Sequence, residues 1–155
     1  MYKVHGVKVI DTESFLSVLC ELAQEGKQVS TIVTGGSMLP FLSGGRDYVY
    51  LVKPKRNLRK GDVVLFRRTN GDFVLHRIKK IKDDGVYLIG DRQYDTEGPV
   101  KTDQILALAI GAKRKGRDIS QKSLVWLFYS RVWINTVRIR PFLFRMIGLF
   151  HRKSG

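Results

Sequence analysis

Residues 29–110 alternate short β-branched and aromatic runs with Gly, Asn and Asp turns. The runs at 31–34, 48–52, 63–66, 73–78 and 86–89 are too short for helices and too regularly punctuated for loops. Asn70-Gly71 between two of them is a strong hairpin signal, because both residues accept the positive φ that a tight β turn demands. Asp83-Asp84-Gly85 reads as a second such turn. The pattern predicts a mainly β chain: a compact antiparallel domain with no internal repeat and no low-complexity segment. At 155 residues one domain is expected, and a hydrophobic share of 43% is enough to fill its core.

Two flanking segments differ from this core of about 29–112. Asp11-Thr12-Glu13-Ser14 opens a helix over about 11–26, with Asp11 as N-cap. Phe15, Leu16, Val18, Leu19, Leu22 and Ala23 then recur at helical spacing, and Gly26 ends the run. Residues 119–155 hold no acidic side chain but seven Lys and Arg, interleaved with Trp, Phe, Leu and Ile. Pro141 divides this segment into two short helices. Such a tail fits either a helix lying in a membrane interface or a helical cap packed on the β domain. The expected division is 1–118 as the main domain and 119–155 as a basic amphipathic tail.

The formal charge is +14, from 28 basic and 14 acidic side chains. That excess favours anionic partners, among them membrane surfaces and nucleic acid. No nucleic-acid motif accompanies the charge, so nucleic acid is the rival partner and not the expected one. Residues 1–6 lack the apolar core of a signal peptide, and no stretch reaches the ~20 apolar residues that cross a bilayer. A cytoplasmic chain, peripheral at the inner membrane face, is expected. Cys20 is the single cysteine, which excludes an internal disulfide and suits a reducing compartment. There is no Cys/His cluster at metal spacing and no phosphate-cradling glycine loop, so neither metal nor cofactor is expected.

The candidate chemistry lies in three places. Ser37 sits in Gly35-Gly36-Ser37-Met38-Leu39-Pro40, His76 in the apolar run Phe73-Val74-Leu75-His76-Arg77-Ile78, and Asp91 in the turn Gly90-Asp91. A serine hydroxyl is a weak nucleophile unless an oriented base lies within hydrogen-bond reach. His5 is near the start of the chain and His151 in the basic tail, whereas a strand holds His76 in place. Gly35 and Gly36 permit backbone that a Cβ would forbid and let a substrate chain come close. The Ser37 N–H is placed to meet a developing oxyanion. Lys60, in a charged loop, is the poorer base. Asp62 and Asp72 read as turn residues.

Gly36-Ser37-Met38-Leu39-Pro40 resembles the Gly-Ser-Met-x-Pro signature of type I signal peptidases and LexA-type repressor peptidases. Gly61-Asp62-Val63-Val64-Leu65-Phe66 is similar to their Gly-Asp-Val-Val strand. His76-Arg77-Ile78 matches the second catalytic box of the endoplasmic-reticulum and archaeal branch, which uses His where the common bacterial branch uses Lys. Gly90-Asp91 resembles the Gly-Asp-Asn box. Order and spacing agree over roughly residues 30–112. The nearest likeness is to short bacterial members without a membrane anchor. The resemblance implies a coiled antiparallel β fold, with the N-terminal helix and basic helical tail beside it. It also implies Ser-His endopeptidase chemistry on extended peptides with small residues before the cut. Ser37 and His76 are then catalytic, with Asp91 as the orienting carboxylate. Gly35, Gly36, Met38 and Pro40 shape the substrate-binding turn.

The chain departs from the pattern in places. Arg92-Gln93 follows Gly90-Asp91 where the family has Asn. The second acidic position falls on Asp95 or Glu97, and Asp95 is the candidate carried forward. Gly35 occupies the position where family members often place a hydroxyl, leaving the oxyanion hole to backbone or to Thr34. No Ala-Gly or Cys-Gly bond precedes Ser37, so LexA-type self-cleavage is not expected. The rival readings are an inactive peptidase-like binding module and a basic nucleic-acid-binding protein.

Overall fold

The computed structural model describes residues 12–148, the backbone of two short strands before them and the helical backbone to Arg152 after them. Those two strands, β1 (Lys3–Val4) and β2 (Val7–Lys8), pair with each other. The expected Asp11 cap, His5 and the His151 side chain lie outside the described residues.

Helix α1 (Thr12–Gln24) buries Leu19, Cys20 and Ala23 and ends before Gly26, whose φ of +90° places it in the left-handed region. Burial pushes the Cys20 thiol up to about 11, so it behaves as a small hydrophobe. The strands follow: β3 (Val29–Ile32), β4 (Tyr48–Val52), β5 (Val63–Arg67), β6 (Phe73–Lys82), β7 (Gly85–Ile89), β8 (Glu97–Val100), β9 (Ile105–Arg114) and β10 (Arg117–Ser120). They form an eight-stranded antiparallel sheet in the order β3-β4-β9-β5-β6-β7-β8, with β10 also on β9. Both predicted turns connect neighbours, β5 to β6 and β6 to β7. Register shifts in the β4–β9, β5–β9, β6–β7 and β7–β8 pairings bend the sheet around two buried clusters. The larger holds Met38, Phe41, Leu42, Val63 and Leu65 and the smaller Phe66, Ile78, Leu88 and Ile105.

Strands β8, β9 and β10 were not among the runs expected from the sequence. The central strand β9 reads Ile-Leu-Ala-Leu-Ala-Ile, and Ala107, Ala109 and Ala112 are fully buried. A strand covered on both faces carries no apolar–polar alternation, and alanine has no strand preference of its own.

The tail forms α2 (Leu124–Arg131), 3-10 turns at Trp133–Asn135 and Val137–Ile139, and α3 (Arg140–Arg152). Pro141 lies in the first turn of α3 and so opens a helix, where a missing N–H does no harm. Trp126, Tyr129 and Trp133 join the larger cluster: Trp126 meets Phe41 edge-on, Tyr129 packs tilted on Phe41, and Trp133 meets Tyr129 edge-on. The inner face of the tail is therefore a cap on the sheet. No helix among the described residues is long and apolar enough to cross a membrane.

Candidate active site

Ser37 follows β3 in a turn fixed from both sides. Gly35 has φ +70°, and a Cβ on Gly44 would stand 2.2 Å from the Gly35 carbonyl oxygen. Past Ser37 the chain enters the core through Met38, Phe41 and Leu42. The buried Asp47 carboxylate closes the loop by accepting N–H groups of Ser43 and Lys115 and the guanidinium of Arg46. Burial opposes its charge, but those donors outweigh burial and hold the carboxyl below its ordinary range.

His76 is in β6, opposite Val64 of β5. Successive strand residues face opposite sides, so His76 and Arg77 do different work. His76 Nε2 lies 3.2 Å from Ser37 Oγ. The imidazole is nearly fully buried, and burial pushes its pKa down to about 4, against an upward pull from Glu97 and a further downward push from Arg68. It is therefore neutral at pH 7, the form that can accept the serine proton. Its Nδ1 is buried without a hydrogen-bond partner among the described residues.

The sequence reading assigned the orienting carboxylate to Asp91, and the geometry corrects that. Asp91 is fully buried and takes both oxygens to Arg77, at 2.9 and 2.8 Å from Nε and Nη2, on the face of β6 away from His76. The Gly90-Asp91 turn instead braces the serine. Arg92 N–H donates to the Ser37 carbonyl at 2.9 Å, and a Cβ on Gly90 would meet that oxygen at 2.5 Å. Asp95 is exposed and makes no hydrogen bond or ion pair among the described residues, so it too is off the histidine. The carboxylate nearest His76 is Glu97, with Oε2 3.8 Å from Nδ1. Its oxygens are taken by Arg68 Nε and Nη2 at 2.5 and 2.9 Å. Glu97 opens β8, a strand the sequence did not announce.

Ser37 and His76 share a cleft of about 490 Å³ with Phe15 and Leu16 of α1, Ile32, Thr34, Met38, Arg68 and Phe73. Of the four residues expected to shape the substrate turn, Met38 lines this cleft, and Gly35, Gly36 and Pro40 are not part of its lining. The Pro40 and Phe41 carbonyls accept Arg114 at 3.3 and 2.7 Å. Lys60 Nζ is bonded to Asn135 Oδ1. Among the described residues no three His, Cys, Asp or Glu side chains gather as a metal site.

Two residues of the site were not foreseen. Trp133 Nε1–H donates to the Asp91 carbonyl at 2.8 Å. Arg140, fully buried, donates through Nη1 to the Gly90 and Gln93 carbonyls at 3.1 and 2.7 Å and through Nη2 to the Trp133 carbonyl at 3.2 Å. The tail thus grips the turn that grips Ser37. Arg140 is one of seven similar cations in the tail sequence, and only its place directly before Pro141 set it apart.

No curated protein and no solved structure matches the chain. A family described as Peptidase S24-like matches over residues 5–105, which include Ser37, His76, Asp91 and Glu97. The chain belongs to this Peptidase S24-like family, of the LexA and signal peptidase I superfamily.

Proposed function

We propose that the protein is a serine endopeptidase of the signal peptidase-like kind, cutting an extended leader or exported peptide after small residues by a Ser-His mechanism. The observation that carries this reading is the 3.2 Å approach of Ser37 Oγ and His76 Nε2, brought from separate segments to one cleft. A buried, neutral imidazole beside a braced serine is the arrangement general-base attack requires.

In this reading Ser37 Oγ attacks the scissile carbonyl carbon as its proton passes to His76 Nε2. The Ser37 N–H faces the oxyanion. The imidazolium gives the proton to the departing amine, the C–N bond breaks, and an ester on Ser37 remains. Water, deprotonated by the same nitrogen, hydrolyses it. Glu97 stabilises the imidazolium through Nδ1–H after a shift of about 1 Å, the difference between its present distance and a hydrogen bond. Strand β3 is at the end of the sheet and its residues Thr31 and Ile32 line the cleft, which supports substrate addition as a further strand.

The test is a mixed peptide library incubated with the whole protein and read by mass spectrometry. Cleavage after small residues, lost in Ser37→Ala, is expected. Binding of peptides without any cleavage would replace this reading with the inactive-module one.

A further inference from the structure

Thirteen large hydrophobic side chains are exposed among the described residues, and seven of them fall between Leu124 and Ile147. That segment lies inside the stretch without an acidic side chain. The exposure has a pattern. On α2 the inward residues are Trp126 and Tyr129, and on the opposite side Leu124, Phe128 and Arg131 stand out in successive turns, with Val132 next. On α3 Arg140 is buried and Leu143 and Phe144 pack on the core. Phe142, Arg145 and Met146 stand on the opposite side, with Arg138 and Ile139 just before them. Each helix thus presents an apolar ridge edged by arginine. Leu124 is 86% exposed and Phe142 63%. None of the Arg131, Arg138 and Arg145 guanidiniums makes an ion pair or hydrogen bond among the described residues.

We infer that these outer ridges of α2 and α3 form a docking surface for a bilayer containing anionic lipid, with the helices lying in the plane of its interface. The inner faces of both helices are already committed to the domain, so the outer ridges are presented on a fixed frame. Unpaired arginines beside Leu, Phe and Met match an interface that is anionic at the headgroups and apolar just beneath. Helix α3, with 13 residues, is about 20 Å long and lies along a bilayer instead of crossing it. A second copy of the chain is the poorer occupant, since a self-complementary contact would set these arginines against their own kind. Nucleic acid would use the cations and leave the apolar ridge without purpose. The inference is independent of the peptidase reading.

The test is co-sedimentation of the full chain with phosphatidylcholine vesicles, with and without phosphatidylserine. It is made for the wild type, for Leu124→Ser/Phe142→Ser/Met146→Ser, and for Arg131→Gln/Arg138→Gln/Arg145→Gln. Thermal unfolding verifies that each variant is folded, and the exposed positions leave a single-site fallback, Phe142→Ser, if the triple variant is not. Wild type is expected to bind phosphatidylserine vesicles, more weakly as salt rises. Each triple variant is expected to lose more than about tenfold in affinity. Equal binding by wild type and the apolar-ridge variant would overturn the inference and leave a simple polycation. So would no wild-type binding at low salt, or a wild-type dimer that the apolar substitutions dissociate.

Discussion

Glu97 Oε2 stands 3.8 Å from His76 Nδ1 while Arg68 holds both oxygens of the same carboxylate. The histidine therefore has its acidic neighbour close by but not yet bonded. Arg68 also lines the cleft, so the restraint on Glu97 is within reach of whatever binds there.

Glu97→Gln is expected to lower kcat roughly tenfold to a hundredfold with a small change in KM, because the imidazolium loses its stabilising charge. The pH profile gives the sign independently. Glu97 pulls the His76 pKa up and Arg68 pushes it down. The acid limb of kcat/KM should move to lower pH in Glu97→Gln and to higher pH in Arg68→Gln. A limb that stays put in both variants would remove Glu97 from the mechanism.

The depressed His76 pKa also bears on folding. Between the ordinary value of 6.5 and about 4, the unfolded chain takes up a proton that the folded chain refuses. Stability is complete above that window and falls on acidification through it, by up to roughly 3 kcal/mol. Urea unfolding at the two ends of the window measures the loss, and His76→Gln should abolish this part of it.

Asp91 and Arg77 form a fully buried ion pair, so removing one partner strands the other charge. Asp91→Asn is expected to destabilise by about 3–5 kcal/mol. Asp95→Asn, at an exposed carboxylate, should stay within about 0.5 kcal/mol. Similar losses for both would contradict the structural assignment of Asp91.

Arg140 acts through the Gly90–Gln93 turn. Arg140→Met keeps much of the buried volume and removes a donor from three carbonyls. Those of Gly90 and Trp133 keep the N–H groups of Gln93 and Thr136, and that of Gln93 loses its donor, which should cost about 1–3 kcal/mol. The catalytic signature is a fall in kcat larger than the change in KM, since the turn bracing Ser37 loosens while the cleft walls apart from Gln93 belong to other segments. A variant that loses stability with unchanged kcat would make Arg140 structural only.

The hairpins around Asn70-Gly71 and Asp83-Asp84-Gly85 were legible because turn chemistry is local. Ser37 and His76 were legible because each sits in a distinctive run. Strand β9 was not, because burial on both faces erases the alternation that marks a strand. Asp91 was misjudged because spacing along the chain does not say which face of β6 a carboxylate meets; it met Arg77 where one residue earlier would have been His76. Glu97 was one of two alternatives for the second acidic position, and nothing local chose it over Asp95. Trp133 and Arg140 were hidden in a tail whose composition fitted a membrane-interface helix and a packed cap equally.

The most direct measurement is kcat/KM on the best library peptide for wild type, Ser37→Ala and His76→Ala, with thermal unfolding recorded for each. The Ser-His account predicts that both variants stay folded and lose at least about a thousandfold in kcat/KM. Either variant cleaving at the wild-type rate would contradict it.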